Sequence, residues 1–385
     1  MGPAVLDCAH FTAGECRSCT WLGRRYDEQL AAKQAATRAL VDRPGLVWLP
    51  PVTSPSASFR SKAKMVVGGT AAAPTLGILG PDGAGIDLRD CALHTPGIVA
   101  ALPTLAELVR RAGLTPYDVG GSGPVGGRGE LKHVLVTDSP DGELMVRLVL
   151  RSTSAEARVR KHLPWLLGAL PGLRVVTINV QPEHRAVLEG EREIVLTEAD
   201  TLPMRLGAIT LHLRPRSFFQ TNTTVAAALY REAAAWVADL GPRRVVDLYC
   251  GVGGFALHLA APGRRVSGIE LSADAIASAE RSRDEAGLPG EIDFAVGDAT
   301  APEWAGLLAG ADLVVVNPPR RGLGRELARR LEGSGARHVL YSSCNPETLA
   351  RDLTELASYR PVRGRLLDMF PQTSHAEVLI LLSRS

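Results

Sequence analysis

After Phe218 the chain alternates short apolar runs with helix-forming segments, and few folds accommodate that rhythm. Val245-Val-Asp-Leu-Tyr249, Arg265-Val-Ser-Gly-Ile269, Ile292-Asp-Phe-Ala-Val296, Leu313-Val-Val-Val316, His338-Val-Leu-Tyr341 and Val378-Leu-Ile-Leu-Leu382 have the length and composition of buried strands. The helical stretches between them make a βαβ series, which predicts a Rossmann-like, doubly wound α/β sheet. Ligands in such sheets bind beyond the carboxyl ends of the strands. The chemically distinctive residues of the chain fall at those ends.

With 385 residues the chain can build two or three cores. Residues 206–385 carry the α/β alternation. Residues 46–205 read as a central α+β domain, with strand-like runs at Lys64–Val67, Val134–Thr137, Leu144–Leu150 and Val175–Val180. Helical stretches near Ile98–Ala112 and Ser154–Leu170 interrupt them, and Gly120–Gly127 reads as a mobile loop. Residues 1–45 hold a cysteine-bearing loop and a helix over Tyr26–Leu40, closed by Pro44-Gly45.

Basic residues exceed acidic ones by only two, so bulk charge names no partner. Just five of the 43 basic residues are lysine, an arginine bias that reads as genome composition. No apolar run approaches the ~20 residues that span a bilayer, and residues 1–8 lack both a basic and an apolar leader segment. A cytoplasmic protein is expected, and its six cysteines then read as ligands, nucleophiles or packed residues rather than disulfides.

The run Asp247-Leu-Tyr-Cys-Gly251-Val-Gly253-Gly254-Phe255 follows one strand and opens a helix. Glycines there let the backbone approach a ligand and expose helix N-terminal amides. Gly251-x-Gly253-x-x-Ala256 fits a dinucleotide as well as a methyl-donor nucleoside. Glu270 ends the next strand, where a carboxylate can accept both ribose hydroxyls, and Asp298 ends the third, near an adenine. Tight packing alone would account for the glycines but not for two acids at successive strand ends.

Three further strand ends carry reactive groups. Asn317-Pro318-Pro319-Arg320 is a rigid turn, because proline fixes φ and extends the residue before it. It ends in Arg320-Arg321 where amino-methylating enzymes have an aromatic residue. Cys344, in Ser342-Ser343-Cys344-Asn345-Pro346, is either a small packed residue or a nucleophile. The polar neighbours and the helix opened by Pro346 favour a thiolate there. Glu377, in His375-Ala376-Glu377, precedes the last strand and is a candidate general base. Cys8-x7-Cys16-x2-Cys19, with Cys91 downstream, offers four thiolates, a set that suits a [4Fe–4S] cluster or a structural zinc.

Phe218-Phe219-Gln220-Thr-Asn222, Asp247-Leu-Tyr-Cys-Gly251, Asn317-Pro-Pro-Arg320, Ser343-Cys344-Asn345-Pro346 and His375-x-Glu377 together resemble the RNA uracil-C5 methyltransferase family, in order and along nearly the whole chain. The early cysteine cluster, the Asn in place of Asp at 317, and the runs Phe59–Met65 and Arg128–Lys132 resemble the branch that acts on a loop uridine of 23S ribosomal RNA. The resemblance implies S-adenosyl-L-methionine as cofactor, bound by Gln220, Tyr249, Glu270, Asn317 and Gly254. It also implies Cys344 as nucleophile, Glu377 as base, and a [4Fe–4S] cluster on Cys8, Cys16, Cys19 and Cys91.

In the reaction so implied, the uridine leaves its loop, Cys344 adds to C6, C5 takes the methyl group, and Glu377 removes the C5 proton. The expected partner is 23S ribosomal RNA, with no membrane, and a monomer is expected. Arg60, Lys62, Lys64, Arg128 and Lys132 are candidates for phosphate contacts. Three alternatives stand beside this reading: a transfer-RNA uridine methyltransferase, a non-catalytic iron–sulfur RNA-binding protein, and an amino-directed methyltransferase, which Arg320 disfavours.

Overall fold

In a computed structural model of the chain, which describes residues 5–118, 129–183 and 187–385, the expected alternation folds into one eight-stranded sheet. Its order is Val47–Trp48, Tyr359–Leu367, Glu377–Arg384, His338–Ser343, Leu313–Val316, Arg244–Leu248, Arg265–Glu270 and Glu291–Val296. Glu377–Arg384 runs antiparallel to both of its neighbours, and the remaining pairs are parallel. Chain order reverses between Arg244–Leu248 and Leu313–Val316, which opens a crevice at their carboxyl ends. Val246, Leu248, Val314, Val316, Val339, Ile380 and Leu382 form the core on one side of the sheet.

Two strands lie outside the predicted six. Tyr359–Leu367 contains Pro361, which cannot donate to a ladder, so its sequence does not read as a strand. The sheet absorbs the proline with a register shift between Pro361 and Arg363. Val47–Trp48, read from sequence as the start of the central domain, instead adds to this sheet beside Arg363 and Gly364. Two residues carry no period to read, and only main-chain pairing assigns them.

Residues 19–56 and 205–385 form one compact unit, and residues 7–18 and 57–204 form another. In the first, helix Tyr26–Val41 faces inward with Gln29, Lys33, Thr37 and Val41, a largely polar stripe at four-residue spacing. Lys33 Nζ lies 2.6 Å from Asp368 Oδ1, and both side chains are sealed from water. Lys33 also donates to the Phe370 carbonyl at 2.9 Å. Gln29 exchanges two hydrogen bonds with Gln372, each 2.9 Å. The helix therefore clamps the loop that leads into the last strand. Burial pulls the Lys33 ammonium below its usual range while the Asp368 charge opposes the shift. Lys33→Ala is expected to lower the unfolding free energy by about 3–5 kcal/mol, because Asp368 would keep a buried charge without its cation; a denaturant titration measures it.

The second unit is a seven-stranded sheet ordered Gly85–Asp87, Pro74–Leu79, Lys62–Gly69, Leu131–Asp138, Leu144–Leu150, Leu173–Val180 and Arg192–Val195. Helices Pro96–Arg111 and Glu156–Ala169 cover one face, burying Ile98, Leu102, Leu105 and Val159 against Met65, Val134, Val146 and Ile178. On the other face Arg147 is buried and forks onto Glu193 at 2.9 and 2.7 Å. Its third bond reaches Glu189 at 2.8 Å. The expected glycine-rich loop at 120–127 and the phosphate candidate Arg128 lie outside the described residues.

The other phosphate candidates divide. Arg60 and Lys64 are exposed. Burial pushes the Lys62 amine down to about 8. Lys132 is buried, donates to the Glu183 carbonyl at 2.6 Å, and sits 4.6 Å from the Tyr117 ring centroid.

Candidate active site

The loop after Arg244–Leu248 turns sharply because three of its residues take left-handed backbone angles: Tyr249 at φ 64°, Gly251 at 54° and Gly253 at 85°. For a tyrosine this conformation is costly, and such strain gathers at functional sites. Main-chain bonds hold it: Cys250 N donates to the Ile269 carbonyl at 3.0 Å and Gly253 N to the Cys250 carbonyl at 2.9 Å. Asp247 is buried, accepts from Ala256 N at 3.0 Å, and is pushed up to about 8 by burial. A Cβ on Gly254 would stand 2.4 Å from the Tyr230 hydroxyl, so only glycine fits between that ring and the cavity. Cys250 is a packed residue, as expected.

Glu270 ends the neighbouring strand and accepts from Gly251 N at 3.3 Å and Ser272 N at 2.9 Å. One carboxylate thus ties the glycine loop to the start of the next helix. Asp298 accepts from Thr300 N and Oγ1, each at 2.8 Å.

All seven catalytic and cofactor candidates (Gln220, Tyr249, Gly254, Glu270, Asn317, Cys344 and Glu377) border a single cavity of about 640 Å³. Asp298, Arg320 and Arg321 border it too. Its size falls in the range of small-molecule sites, and the fixed carboxylate of Glu270 beside open backbone at Gly251 suits a nucleoside. Phe370 and Tyr230 also line the cavity. Sequence reasoning passed over both, since an aromatic residue in a loop or helix carries no signal of where it points.

Cys344 and Glu377 stand 33 positions apart in sequence, and the antiparallel strand brings them together. Ser342 pairs with Leu379 and Ser343 with Val378; one more step of that register sets Cys344 opposite Glu377. Glu377 is 1% exposed, and burial pushes its carboxyl up to about 7 against an opposing hydrogen bond from Ser342. Asn345 caps helix Pro346–Glu355 through Glu347 N at 3.1 Å and donates to the Arg320 carbonyl at 3.3 Å.

The helix start was expected to favour a Cys344 thiolate. The thiol is instead raised: burial dominates, the Glu377 charge adds to it, and Arg320 opposes both. Cys344 therefore rests as a thiol at neutral pH. Glu377→Gln removes the charge that disfavours the thiolate, so iodoacetamide should alkylate Cys344 faster in that variant below the thiol's pKa, with the two rates converging at high pH. Equal rates throughout would show that the two groups do not interact.

Cys8, Cys16 and Cys19 take part in no disulfide among the described residues. Within the second unit Cys8 and Cys16 lie close enough to Cys91 to raise its thiol further, beyond the effect of burial. A four-thiol donor set suits a [4Fe–4S] cluster or a structural zinc alike. Among the described residues, no three or more His, Cys, Asp or Glu side chains converge as they stand on a point where a metal ion could sit.

Two family models match the chain: tRNA (Uracil-5-)-methyltransferase over residues 310–385, and Methyltransferase domain over 245–335. Among curated relatives, the 23S rRNA (uracil(747)-C(5))-methyltransferase RlmC of Halothiobacillus neapolitanus is 48% identical over 98% of this chain and 100% of its own length. That of Pectobacterium carotovorum is 46% identical with the same coverage. Among solved structures, the Pyrococcus abyssi tRNA (uracil-54, C5)-methyltransferase in complex with S-adenosyl-L-homocysteine superposes with a TM-score of 0.77. It is 25% identical, over 94% of this chain and 85% of its own.

Proposed function

Because the chain belongs to the RlmC family of 23S rRNA (uracil-C5)-methyltransferases, we propose that its cavity unites a methyl-donor site with a nucleophile and a base for C5 of a 23S uridine. The observation that carries this reading is the facing pair Cys344 and Glu377 opening onto the same cavity as Tyr249, Glu270 and Asn317. The protein transfers a methyl group from S-adenosyl-L-methionine to C5 of uracil in 23S rRNA. Relatives at 46–48% identity are named for that substrate, whereas the transfer-RNA enzyme is 25% identical. The target is the uridine matching the one for which those relatives are named.

In the donor site, Glu270 takes the ribose hydroxyls, while Gln220, Tyr249, Gly254 and Asn317 line the remainder. Asn317 has no charge, so it positions and takes no part in proton transfer. The bound donor supplies an electrophilic methyl group with a neutral leaving group, which requires no metal.

The chain's own residues supply the rest. Cys344 Sγ loses its proton and bonds to C6, which makes C5 nucleophilic. Once C5 is methylated, Glu377 removes the C5 proton, the C5–C6 double bond re-forms, and the C6–Sγ bond breaks. Arg320 offsets negative charge beside Cys344. The uridine enters turned out of its loop, the unit of residues 57–204 carries RNA through Arg60 and Lys64, and the protein works as a cytoplasmic monomer. No helix among the described residues is long and apolar enough to cross a membrane. Incubating the protein with a 23S transcript and labelled donor, then digesting to nucleosides, should yield 5-methyluridine at one position; label in another nucleoside would reject the reading.

Cys8, Cys16, Cys19 and Cys91 are proposed to hold the [4Fe–4S] cluster. The proximity of Cys8 and Cys16 to Cys91 supports it. Protein purified without air should contain iron and acid-labile sulfide in equal amounts, and Cys91→Ala should lose both. Zinc in their place would overturn this assignment.

A further inference from the structure

We propose that Ser342 is a positioning residue for Glu377, a role that rests on the reading of Glu377 as the base. Strand His338–Ser343 alternates its side chains. Val339 and Tyr341 join the apolar core with Val378 and Ile380, while Leu340 and Ser342 share the opposite face with Leu379 and Leu381. Ser342 is therefore a hydroxyl in a leucine environment, fully buried, and a hydroxyl there is costly unless bonded.

Its hydrogen bond goes to Glu377 Oε1. The other oxygen, Oε2, is buried and has no hydrogen-bond partner among the described residues, while Glu377 itself borders the cavity. The two oxygens thus differ: Oε1 is held in the sheet by Ser342, and Oε2 is left without a hydrogen bond in a residue that borders the cavity. Ser342 does not border the cavity, so it acts through the carboxylate.

Other ionisable groups face Glu377 without bonding to it. These are the Tyr230 phenol from helix Thr223–Leu240, with Asp247 beyond it, the Cys344 thiol at the end of the adjacent strand, and Arg320 of the proline turn across the cavity. Among the described residues, Ser342 alone gives Glu377 a hydrogen bond that favours the carboxylate over the acid. It also fixes the rotation of the carboxyl group, so that Oε2 meets the C5 proton. As that proton passes to Oε2, the electron pair of the C5–H bond forms the C5–C6 double bond and Cys344 departs as thiolate.

The test uses the full chain and a 23S transcript. In Ser342→Ala, tritium release from 5-tritiated uridine at pH 7 should fall about tenfold, and the acid limb of its pH–rate profile should move up by about one pH unit. Adduct formation with 5-fluorouridine RNA should keep at least its wild-type rate, because that step does not use the base and a less ionised Glu377 no longer opposes the Cys344 thiolate. Ser342→Thr, which retains the hydroxyl, should restore both release and the profile. An unchanged profile and release in Ser342→Ala would overturn the proposal, as would a parallel loss of adduct formation and release, which marks a purely structural role. Failure of the underlying reading would look different: Glu377→Gln would release tritium normally.

Discussion

Replacing Cys344 by alanine is expected to eliminate both methyl transfer and the covalent adduct with 5-fluorouridine-substituted RNA. Uracil C5 is a poor nucleophile, and only addition of sulfur at C6 places electron density on it. Alanine offers no lone pair, and no second thiol is available at this strand end, since Cys250 is packed in the glycine loop with its thiol pushed far up by burial. The loss in kcat should be on the order of 10⁵ or more, the scale of deleting a covalent nucleophile. In the wild-type protein the fluorine at C5 cannot leave as a proton does, so the adduct survives denaturing electrophoresis. The alanine variant should show no such band yet bind the donor with near-normal affinity, because the donor residues sit on other strands. A persistent band would move the nucleophile elsewhere.

Glu377→Gln should stop the reaction at a different point. Glutamine keeps the shape and can still accept from Ser342, but it cannot take a proton from C5. Methyl transfer should proceed once, and the methylated RNA should then remain bound to Cys344. Release should slow by about 10²–10⁴, the usual contribution of general-base catalysis. The signature is a covalent complex with ordinary, unfluorinated RNA that carries labelled methyl, detected by denaturing electrophoresis. Prompt release of product would exclude Glu377 as the base.

The two groups also predict separate pH limbs. Burial holds the Glu377 carboxyl up at about 7, and the carboxylate is the working form. Release should therefore rise with pH through about 7, level off above it, and lose that inflection in Glu377→Gln. The Cys344 thiol is raised above its usual range, and the thiolate is its working form. Adduct formation should consequently climb further into the alkaline range than release does. Measuring the two steps separately resolves which group governs which limb.

Much of this site is legible before folding, because its residues announce themselves locally. The glycines of 251–254 follow a strand and open a helix, Glu270 closes the next strand, and Asn317 is locked by the prolines after it. A parallel sheet delivers every such strand end to one edge, so finding the strands is nearly the same as finding the site. The strand of 313–316 is likewise visible as an uninterrupted apolar run, and that of 144–150 as one broken only by Arg147. Tyr359–Leu367 is not, since Pro361 and its arginines mask it. Helix Tyr26–Val41 is visible as a helix, yet its inward stripe of Gln29, Lys33 and Thr37 would be assigned to solvent by any hydrophobic pattern. Gln29 and Lys33 are buried because side-chain partners 343 and 335 residues away await them.

Sequence alone determined the α/β sheet and the donor loop, since each rests on residue type and on spacing within one segment, and it offered Cys344 and Glu377 as candidates whose roles the family resemblance implies. Tertiary structure decided how those groups act on one another. The antiparallel last strand sets Glu377 against Cys344, and burial beside that charge keeps the sulfur protonated where a helix start alone predicts a thiolate. The same strand pair lays Ser342 against one carboxylate oxygen and leaves the other without a hydrogen bond. Such couplings depend on register and on exclusion of water, and a linear order of residues contains neither until the sheet has formed.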